Sequence, residues 1–361
     1  MLQLLLGGSG SGKTTLLYQR IRARAEKGEK SILLVPEQFT SSTEGRIYRE
    51  LGDALSGMVE SFSFTSLAEK ILSTEGGAAV QTLSDAGRAV LVRRALEELQ
   101  DNVHYYHRHR RSAAFCQMAA QTIDELKSAG LSGRQLAQLA GACGAESGKL
   151  SELALIFQGY ETLLARSGMD PSDRLELAGA RLEEALARHS LPEFLRDRAV
   201  FIDEFDTFNA PKKRLLGAML AALPSVTVAL CDDGAPLLPG DLSLFSGAKQ
   251  VAAQLRQLAR KNGAEVAVPQ LLRKDLRHRN APGLAAVAEL LETGSCTADA
   301  PADEVRLFAA PSREEEARAA AGAIRRLMRQ GVRCGKIAVV CRDIAKYRAA
   351  VRYEFRTAEI P

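Results

Sequence analysis

The chain has 361 residues, of which 46% are apolar and 25% are charged, which is ordinary for a globular protein of two or three domains. Its net charge of +4 permits nucleic acid as a partner without requiring it, while the absence of a signal peptide and of a long apolar run excludes secreted and membrane-spanning classes. None of the six cysteines forms a CxxC pair, so no zinc or iron–sulfur site is indicated, and free thiols in a cytoplasmic protein are expected.

The first elements in chain order predict strands that alternate with helices. Residues 2–6 are apolar, as in a buried parallel strand, and a glycine-rich turn follows them. A helix is predicted over residues 13–27, ended by Gly28. Two further apolar runs, "SILLVP" and "GMVESFSF", have the texture of strands. This order predicts βαβ units and an α/β domain built on a parallel sheet.

A change of composition and periodicity predicts a helical insertion at residues 84–195. Alanine, leucine, glutamate and arginine dominate there with helical periodicity. Strand texture returns in "AVFID" (199–203) and "SVTVALCDD" (225–233). We therefore expect one α/β domain made of residues 1–83 and 196–268, interrupted by the helical subdomain.

The last third of the chain predicts the beginning of a second α/β domain. Residues 269–303 contain three prolines and little periodicity, and are interpreted as a connection. Within residues 304–361, "EVRLFAA" and "KIAVVC" predict strands, and each precedes a helical pattern. The first of these helices begins with a capping box, Ser312 to Glu315. Because nothing closes this unit, we expect a truncated second domain and a chain that is a piece of a longer protein.

The clearest chemical motif is a phosphate-binding loop directly after the first strand. It fits the pattern G-x-x-x-x-G-K-[ST] and has the required context of a strand before it and a helix after it. Glycines let backbone N–H groups approach phosphate oxygens, and the helix adds its positive N-terminal end. The lysine can reach the β and γ phosphates, and the first threonine hydroxyl can bind Mg²⁺. The predicted nucleotide-binding residues are Gly7, Gly8, Ser9, Gly10, Ser11, Gly12, Lys13, Thr14 and Thr15.

An acidic pair at the end of a later strand fits the same chemistry. "AVFIDEFDTF" places Asp203 and Glu204 where an apolar strand ends. In a phosphate-loop protein, Asp203 is expected to hold Mg²⁺ together with Thr14. Glu204 is expected to be the general base that polarises the attacking water, with Lys13 as its catalytic partner at the phosphates. An acidic corner without function is the alternative interpretation.

The order of these motifs resembles that of superfamily 1 helicases of the UvrD type. "LVPEQFTSSTEGRI" occupies the place of the family's next motif, and "SFTSLAEKIL" (63–72) is similar to the element in which Phe64 and Ser66 would contact single-stranded DNA. The segments "RLFAAPSREEEARAAAGAI" and "GKIAVVCRDIAKYRAAV" resemble the start of a second RecA-like domain. The resemblance implies a RecA-like fold for both domains and places Arg342 where an arginine approaches the γ-phosphate.

Departures from the UvrD pattern make the chain more similar to the AddB family, the B subunits of bacterial AddAB helicase–nucleases. No adenine-reading glutamine element precedes the loop, Gly234 follows "ALCDD" in place of a glutamine, and tryptophan is absent. This resemblance implies ATP and Mg²⁺ as cofactors, single-stranded DNA and duplex ends as substrates in break repair, and an AddA-type subunit as the heterodimer partner. It implies an iron–sulfur cluster and a nuclease domain only beyond the residues present, because no ligand or nuclease carboxylate matches this chain.

Several alternatives stay open from the sequence. The chain is interpreted as a nucleotide-binding subunit with weak motor coupling, but a self-sufficient UvrD-type translocase or a DNA-binding scaffold with a vestigial loop would carry the same motifs. Phe62 and Phe64 could both be core residues. The basic runs "HYYHRHRR" (104–111) and "RKDLRHRN" (273–280) are either DNA backbone contacts or solvated surface. Asp232 and Asp233 are either a sensor or an ordinary strand end.

Overall fold

The computed structural model describes residues 1–79, 81–144, 147–296 and 304–361. Two compact units follow one another along the chain, residues 1–280 and residues 281–361. The first unit contains the sheet and the phosphate loop, and the second is smaller. No helix in the described ranges combines the length and the apolar character that a membrane crossing needs.

The first unit is built on a six-stranded sheet in which every pair of neighbours is parallel. The strand order is β3-β2-β4-β5-β1-β6, so β5 lies between the strand of the phosphate loop and the strand of the acidic pair. This confirms the predicted α/β class with a parallel sheet and agrees with what a RecA-like domain requires. The strands are β1 (Leu2–Gly7), β2 (Ser31–Leu34), β3 (Val59–Phe62), β4 (Ala199–Ile202), β5 (Ser225–Cys231) and β6 (Gln270–Leu272).

Burial on both faces explains why the four central strands are almost continuously apolar. Leu4 and Ile202 point into one hydrophobic cluster, whereas Leu5 and Phe201 point into the cluster on the opposite face. Successive side chains along a strand point to opposite faces of the sheet. A strand that is covered on both sides therefore buries nearly all of its side chains, which favours apolar residues throughout. The register pairs Leu4 with Val228, which fixes the carboxyl ends of these strands along one edge.

Helices cover both faces of this sheet. On one side α1 contributes Leu17 and Ile21, and α2 contributes Ile47, to the cluster around Leu5. The other side is covered by α4, α10, α11 and, from the helical insertion, α9. The helices next to the sheet are α1 (Lys13–Ala25), α2 (Thr40–Leu51), the single turn α3 (Asp53–Ser56), α4 (Phe64–Glu75), α10 (Ala210–Ala222) and α11 (Ser246–Lys261).

The predicted insertion is helical, and most of it has a hydrophobic core of its own. Val92, Phe157 and Tyr160 are fully or almost fully buried in that core, apart from the sheet. The last helix of the insertion instead packs Ala178 and Leu182 into the cluster beside the sheet. The helices of the insertion are α5 (Asp85–Glu98), α6 (Ala113–Ser128), α7 (Gly133–Ala140), α8 (Ser147–Ser167) and α9 (Pro171–Ala187).

The second unit has the predicted helices but not the predicted strands. α12 (Pro282–Thr293), α13 (Arg313–Arg329) and α14 (Ile344–Thr357) are its helices, and Ser312 caps α13 by accepting the N–H of Glu315. The segments 304–310 and 337–341 pair with no strand among the described residues, and Leu307 and Val340 are exposed. The strand prediction is wrong here because an apolar run becomes a strand only when a neighbour accepts its hydrogen bonds.

The segment interpreted as a connection, residues 269–303, contains regular structure. Gln270–Leu272 adds β6 to the edge of the sheet beside β1, and Pro282–Thr293 forms α12. Three paired residues are too few to give a periodic signal, and this strand depends on the register offered by β1. Residues 297–303 of the predicted connection lie outside the described residues.

Candidate nucleotide-binding site

The loop between β1 and α1 has a backbone that only glycine accommodates well. Gly10 and Gly12 adopt positive φ values of 81° and 92°, in the region that other residues rarely occupy. A Cβ on Gly7 would lie 2.4 Å from the Ser11 hydroxyl and 2.7 Å from the carbonyl oxygen of Leu272, so this position has no room for a side chain. Within the described ranges, the N–H groups of Gly10 and Gly12 have no protein acceptor.

Lys13, the first residue of α1, folds back over this loop. Its Nζ donates hydrogen bonds to the carbonyl oxygens of Gly7, at 2.7 Å, and Gly8, at 2.8 Å. Burial lowers the pKa of the Lys13 ammonium, while the nearby thiol of Cys231 and the carboxylates of Asp203 and Glu204 oppose that shift. The ammonium is therefore held at the loop by weak acceptors that phosphate oxygens can replace.

The acidic pair lies at the same edge of the sheet, two strands away. Asp203 follows β4 and is 7% exposed, and its Oδ1 accepts the Glu204 N–H at 3.0 Å. The Thr14 side chain also hydrogen-bonds to Asp203, so the predicted metal-binding residues are in contact. Glu204 has a φ of 64°, a left-handed conformation that is uncommon for glutamate and that turns its side chain out of the strand direction.

A cavity of about 480 Å³ joins the loop and the acidic pair. That volume is within the range of small-molecule sites in proteins. Of the residues predicted in the phosphate loop, Gly7, Gly8 and Ser11 are not among those that line the cavity. The cavity is lined by Ser9, Gly10, Gly12, Lys13, Thr14, Thr15, Arg46, Asp203, Glu204, Phe205, Asp206, Ala229, Cys231, Leu276 and Arg277.

The carboxyl groups of Asp203 and Glu204 are destabilised as anions. Burial raises the pKa of Asp203 despite the hydrogen bonds from Thr14 and the Glu204 N–H. Partial burial of the Glu204 carboxyl and the negative charge of Asp203 likewise raise the pKa of Glu204. Two acids held close together with too little compensating charge are typical of a site built to receive a cation.

Arg277 belongs to the site, although no pattern in the sequence indicated that role. The segment after β6 folds over the phosphate loop, where Leu276 N–H donates to the Gly10 carbonyl at 3.1 Å. The Arg277 guanidinium donates to the Ser9 hydroxyl at 3.0 Å and lines the cavity opposite the acidic pair. The available signal was the basic run 273–280, whose location could not be inferred without the fold.

Arg46 is a second functional candidate that the sequence did not indicate. It lies on α2, and its guanidinium is 4.8 Å from the centroid of the Tyr18 ring, a cation–π contact. Burial raises the pKa of Tyr18 to about 12, so the phenol stays neutral beneath the guanidinium. Arg46 lines the cavity on the side of Asp203 and Glu204, and its charge favours their ionised forms.

These residues fit a magnesium nucleotide. The glycine loop offers unpaired N–H donors, Lys13 and Arg277 supply positive charge, and Thr14 with Asp203 offers the hydroxyl and carboxylate oxygens that magnesium uses alongside phosphates. When bound, the metal would be held by Thr14 and Asp203 and would neutralise phosphate charge. In the described residues no three His, Cys, Asp or Glu side chains gather as an independent metal site, and no disulfide joins any of the cysteines there.

The predicted DNA-contacting residues are placed differently. Phe64 is the first residue of α4 rather than part of a strand, is 2% exposed, and packs edge-on against Phe205, with ring centroids 5.2 Å apart. It therefore takes the core role that the sequence left open, because Ser63 ends the strand as the helix N-cap. Ser66 is exposed, but its hydroxyl completes the capping box with Ser63. A contact of Phe64 with DNA would require its ring to leave this cluster.

Asp232 and Asp233 do not line the cavity. Asp232 is buried and accepts the N–H of Gly234 at 2.7 Å, and Asp233 forms an ion pair with Lys249 at 3.3 Å. Both carboxylates thus anchor the loop after β5, and a sensor role for them stays a prediction. Arg342 lies in the second unit, just before α14, and its approach to a phosphate also stays a prediction.

Comparison with known proteins identifies the family. The profile of the family described as "ADDB, N-terminal" matches residues 4–288. The chain is 34% identical over its whole length to the ATP-dependent helicase/deoxyribonuclease B subunit of Desulforudis audaxviator, and 33% identical over 96% of its length to that of Symbiobacterium thermophilum. It spans 31% of the length of each of these curated relatives. The chain therefore belongs to the AddB N-terminal family.

Proposed function

We propose that this chain is the nucleotide-binding, helicase-like N-terminal part of an ATP-dependent helicase/deoxyribonuclease subunit. The observation that carries the proposal is the cavity in which Lys13, Thr14, Asp203 and Glu204 meet. Relatives that carry this name support ATP as the nucleotide and DNA as the substrate. The subunit would act on DNA ends in break repair, beside an AddA-type partner.

Each site residue has a distinct role in the proposed reaction. The N–H groups of Gly10 and Gly12, with Lys13 and Arg277, hold the phosphates. Thr14 and Asp203 orient the metal, and Glu204 accepts the proton of the attacking water. In this proposal the first unit is a RecA-like domain, and residues 304–361 are the start of a truncated second one. The nuclease reaction and any iron–sulfur cluster belong to the longer protein.

Calorimetry of the purified chain tests the nucleotide half of the proposal. We expect the wild type to bind ATP with Mg²⁺, and Lys13→Ala to weaken binding at least tenfold because an ammonium at the phosphates is lost. Lys27→Ala, an exposed lysine just beyond α1, is the matched control and should bind as the wild type does. Absence of ATP binding by the wild type, with a native circular dichroism spectrum, would refute the proposal.

Hydrolysis is tested separately from binding. Glu204→Gln keeps the size of the side chain but removes the base, so ATP affinity should be retained while any turnover in the presence of DNA falls at least a hundredfold. If the wild type binds ATP but shows no turnover that Glu204→Gln can lower, the site holds nucleotide without hydrolysing it. That result would assign a binding role, and not a motor role, to this unit.

A further inference from the structure

The loop of residues 104–111, here called the basic loop, is fixed in position by backbone contacts. The Glu152 carboxylate accepts the N–H groups of three consecutive residues, His104, Tyr105 and Tyr106, at 2.8–3.2 Å. Tyr106 also stacks on Phe115, with ring centroids 5.4 Å apart, at the margin of the helical core. The His109 ring also lies against Phe115, with centroids 5.6 Å apart. The loop is therefore held by its main chain and two rings, which leaves Arg108 and Arg111 exposed to solvent.

Those side chains concentrate positive charge that the protein does not neutralise. Arg108 and Arg111 are exposed and Arg110 is half-buried, and none of the three forms an ion pair with a carboxylate in the part of the chain that the structure describes. Arg110 contacts the His107 ring instead. The exposed groups that accompany the arginines are His104, Tyr105, His107 and His109.

The arginines of the preceding helix α5 differ from those of the basic loop in having carboxylate partners. Arg88 pairs with Asp85, Arg93 with Glu97 and Arg94 with Glu98, all at 3.0 Å or less. A solvated helix face normally pairs its charges in this way. A loop held by its backbone, with guanidinium groups that have no carboxylate partner in the described residues, favours the first interpretation of "HYYHRHRR", a contact with an external anion.

We propose that the basic loop binds the sugar–phosphate backbone of DNA without reading sequence. Three guanidinium groups on a loop of eight residues match closely spaced phosphates, and arginine binds them through paired N–H donors. Exposed histidines add further hydrogen-bond donors. Tyr105 is exposed and offers an aromatic edge, and the Lys149 ammonium lies 5.2 Å from the centroid of its ring. Duplex and single-stranded DNA present the same phosphates, so both are binding partners in the test.

The inference deepens the proposed action on DNA, and its test omits ATP so that failure here is distinguishable from failure of the nucleotide site. Affinity of the full chain for a labelled duplex and for a labelled single strand is measured by fluorescence anisotropy across a series of salt concentrations. If Arg108 and Arg111 each neutralise one phosphate, the double variant Arg108→Ala/Arg111→Ala lowers the slope of log K against log salt by about 1.8 for duplex and about 1.4 for single strands. The arm that shows the decrease identifies which form of DNA the loop binds.

Two further variants make the result decisive. Arg108→Lys/Arg111→Lys keeps the charge and should keep the slope, whereas Arg93→Ala/Arg94→Ala removes two ion-paired arginines of α5 and should change it by less than about 0.5. An unchanged slope for the alanine variant in both arms, or an equal loss in the α5 control, overturns the proposal. A wild-type chain that binds neither form of DNA overturns it as well.

Discussion

Replacing Asp203 by asparagine should stabilise the protein in the absence of nucleotide. The carboxylate is 7% exposed, and burial raises its pKa above the ordinary value, so the folded state holds the anion at a cost at neutral pH. Asparagine keeps an oxygen for the Glu204 N–H and loses at most the hydrogen bond with Thr14, worth about 1 kcal/mol. We expect a net gain of about 0.5–2 kcal/mol, or roughly 1–8 °C in Tm.

Thermal unfolding in EDTA without nucleotide, compared with buffers that contain ATP alone or ATP with Mg²⁺ and no EDTA, measures both consequences of this change. The gain in Tm should shrink as pH falls, because protonation of Asp203 makes the wild type resemble the variant. A ligand present at a hundred times its Kd stabilises the folded state by about 2.7 kcal/mol in total. The variant should lose the part of this stabilisation that requires Mg²⁺ in addition to ATP. Asp206→Asn, in the same cavity but exposed, is the control. A lower Tm for Asp203→Asn with native secondary structure would refute the reasoning.

Three further predictions concern charges elsewhere in the first unit. Lys127→Met leaves the buried Asp170 carboxylate without its cation at 2.8 Å and should cost about 3–5 kcal/mol in urea unfolding. Burial alone would raise the pKa of Glu152, but three backbone N–H groups bring it below the ordinary value. The stabilisation that the ionised Glu152 carboxylate gives to the fold is therefore present above about pH 4.5. Glu152→Gln should lower the free energy of unfolding by about 1 kcal/mol at pH 7 and lose this difference as pH falls below that value. Arg46→Ala should weaken ATP binding roughly tenfold without Mg²⁺, measured by calorimetry in EDTA, because the acidic pair then loses one of the cations that offset its repulsion of the phosphates. The control variant Arg49→Ala, on the same helix, should bind ATP as tightly as the wild type does under these conditions.

The parts of the fold that could be predicted are those in which a local pattern and the tertiary structure agree. Residues 199–202, and residues 2–6 apart from Gln3, are apolar because both faces of each strand are covered, so the apolar run indicates burial on both sides. The phosphate loop is readable for a similar reason, since its glycines are required by local backbone geometry at Gly7, Gly10 and Gly12. The acidic pair followed from its position at a strand end.

The remaining features depend on contacts between distant segments. Phe64 was placed on a strand, although Ser63 with Ser66 three residues later is a helix-capping signal that outweighs the alternation of aromatic residues. Arg46 and Arg277 reach the site only because α2 and the segment after β6 fold toward the carboxyl edge of the sheet. The strands predicted at 304–310 and 336–341 have apolar sequence but no partner in the described residues, and pairing cannot be read from one segment alone.

The contact between Arg277 and Ser9 joins positions 268 residues apart in the sequence. During synthesis at roughly 5–20 residues per second, the phosphate loop therefore leaves the ribosome tens of seconds before the segment that covers it. The strand β4, which supplies the acidic pair, also arrives only after the whole helical subdomain. A nascent chain thus carries its first strand without a sheet to join while the helices, whose contacts are local, fold ahead of it. Within the first unit, the capacity to bind nucleotide should therefore be among the last properties acquired during biosynthesis.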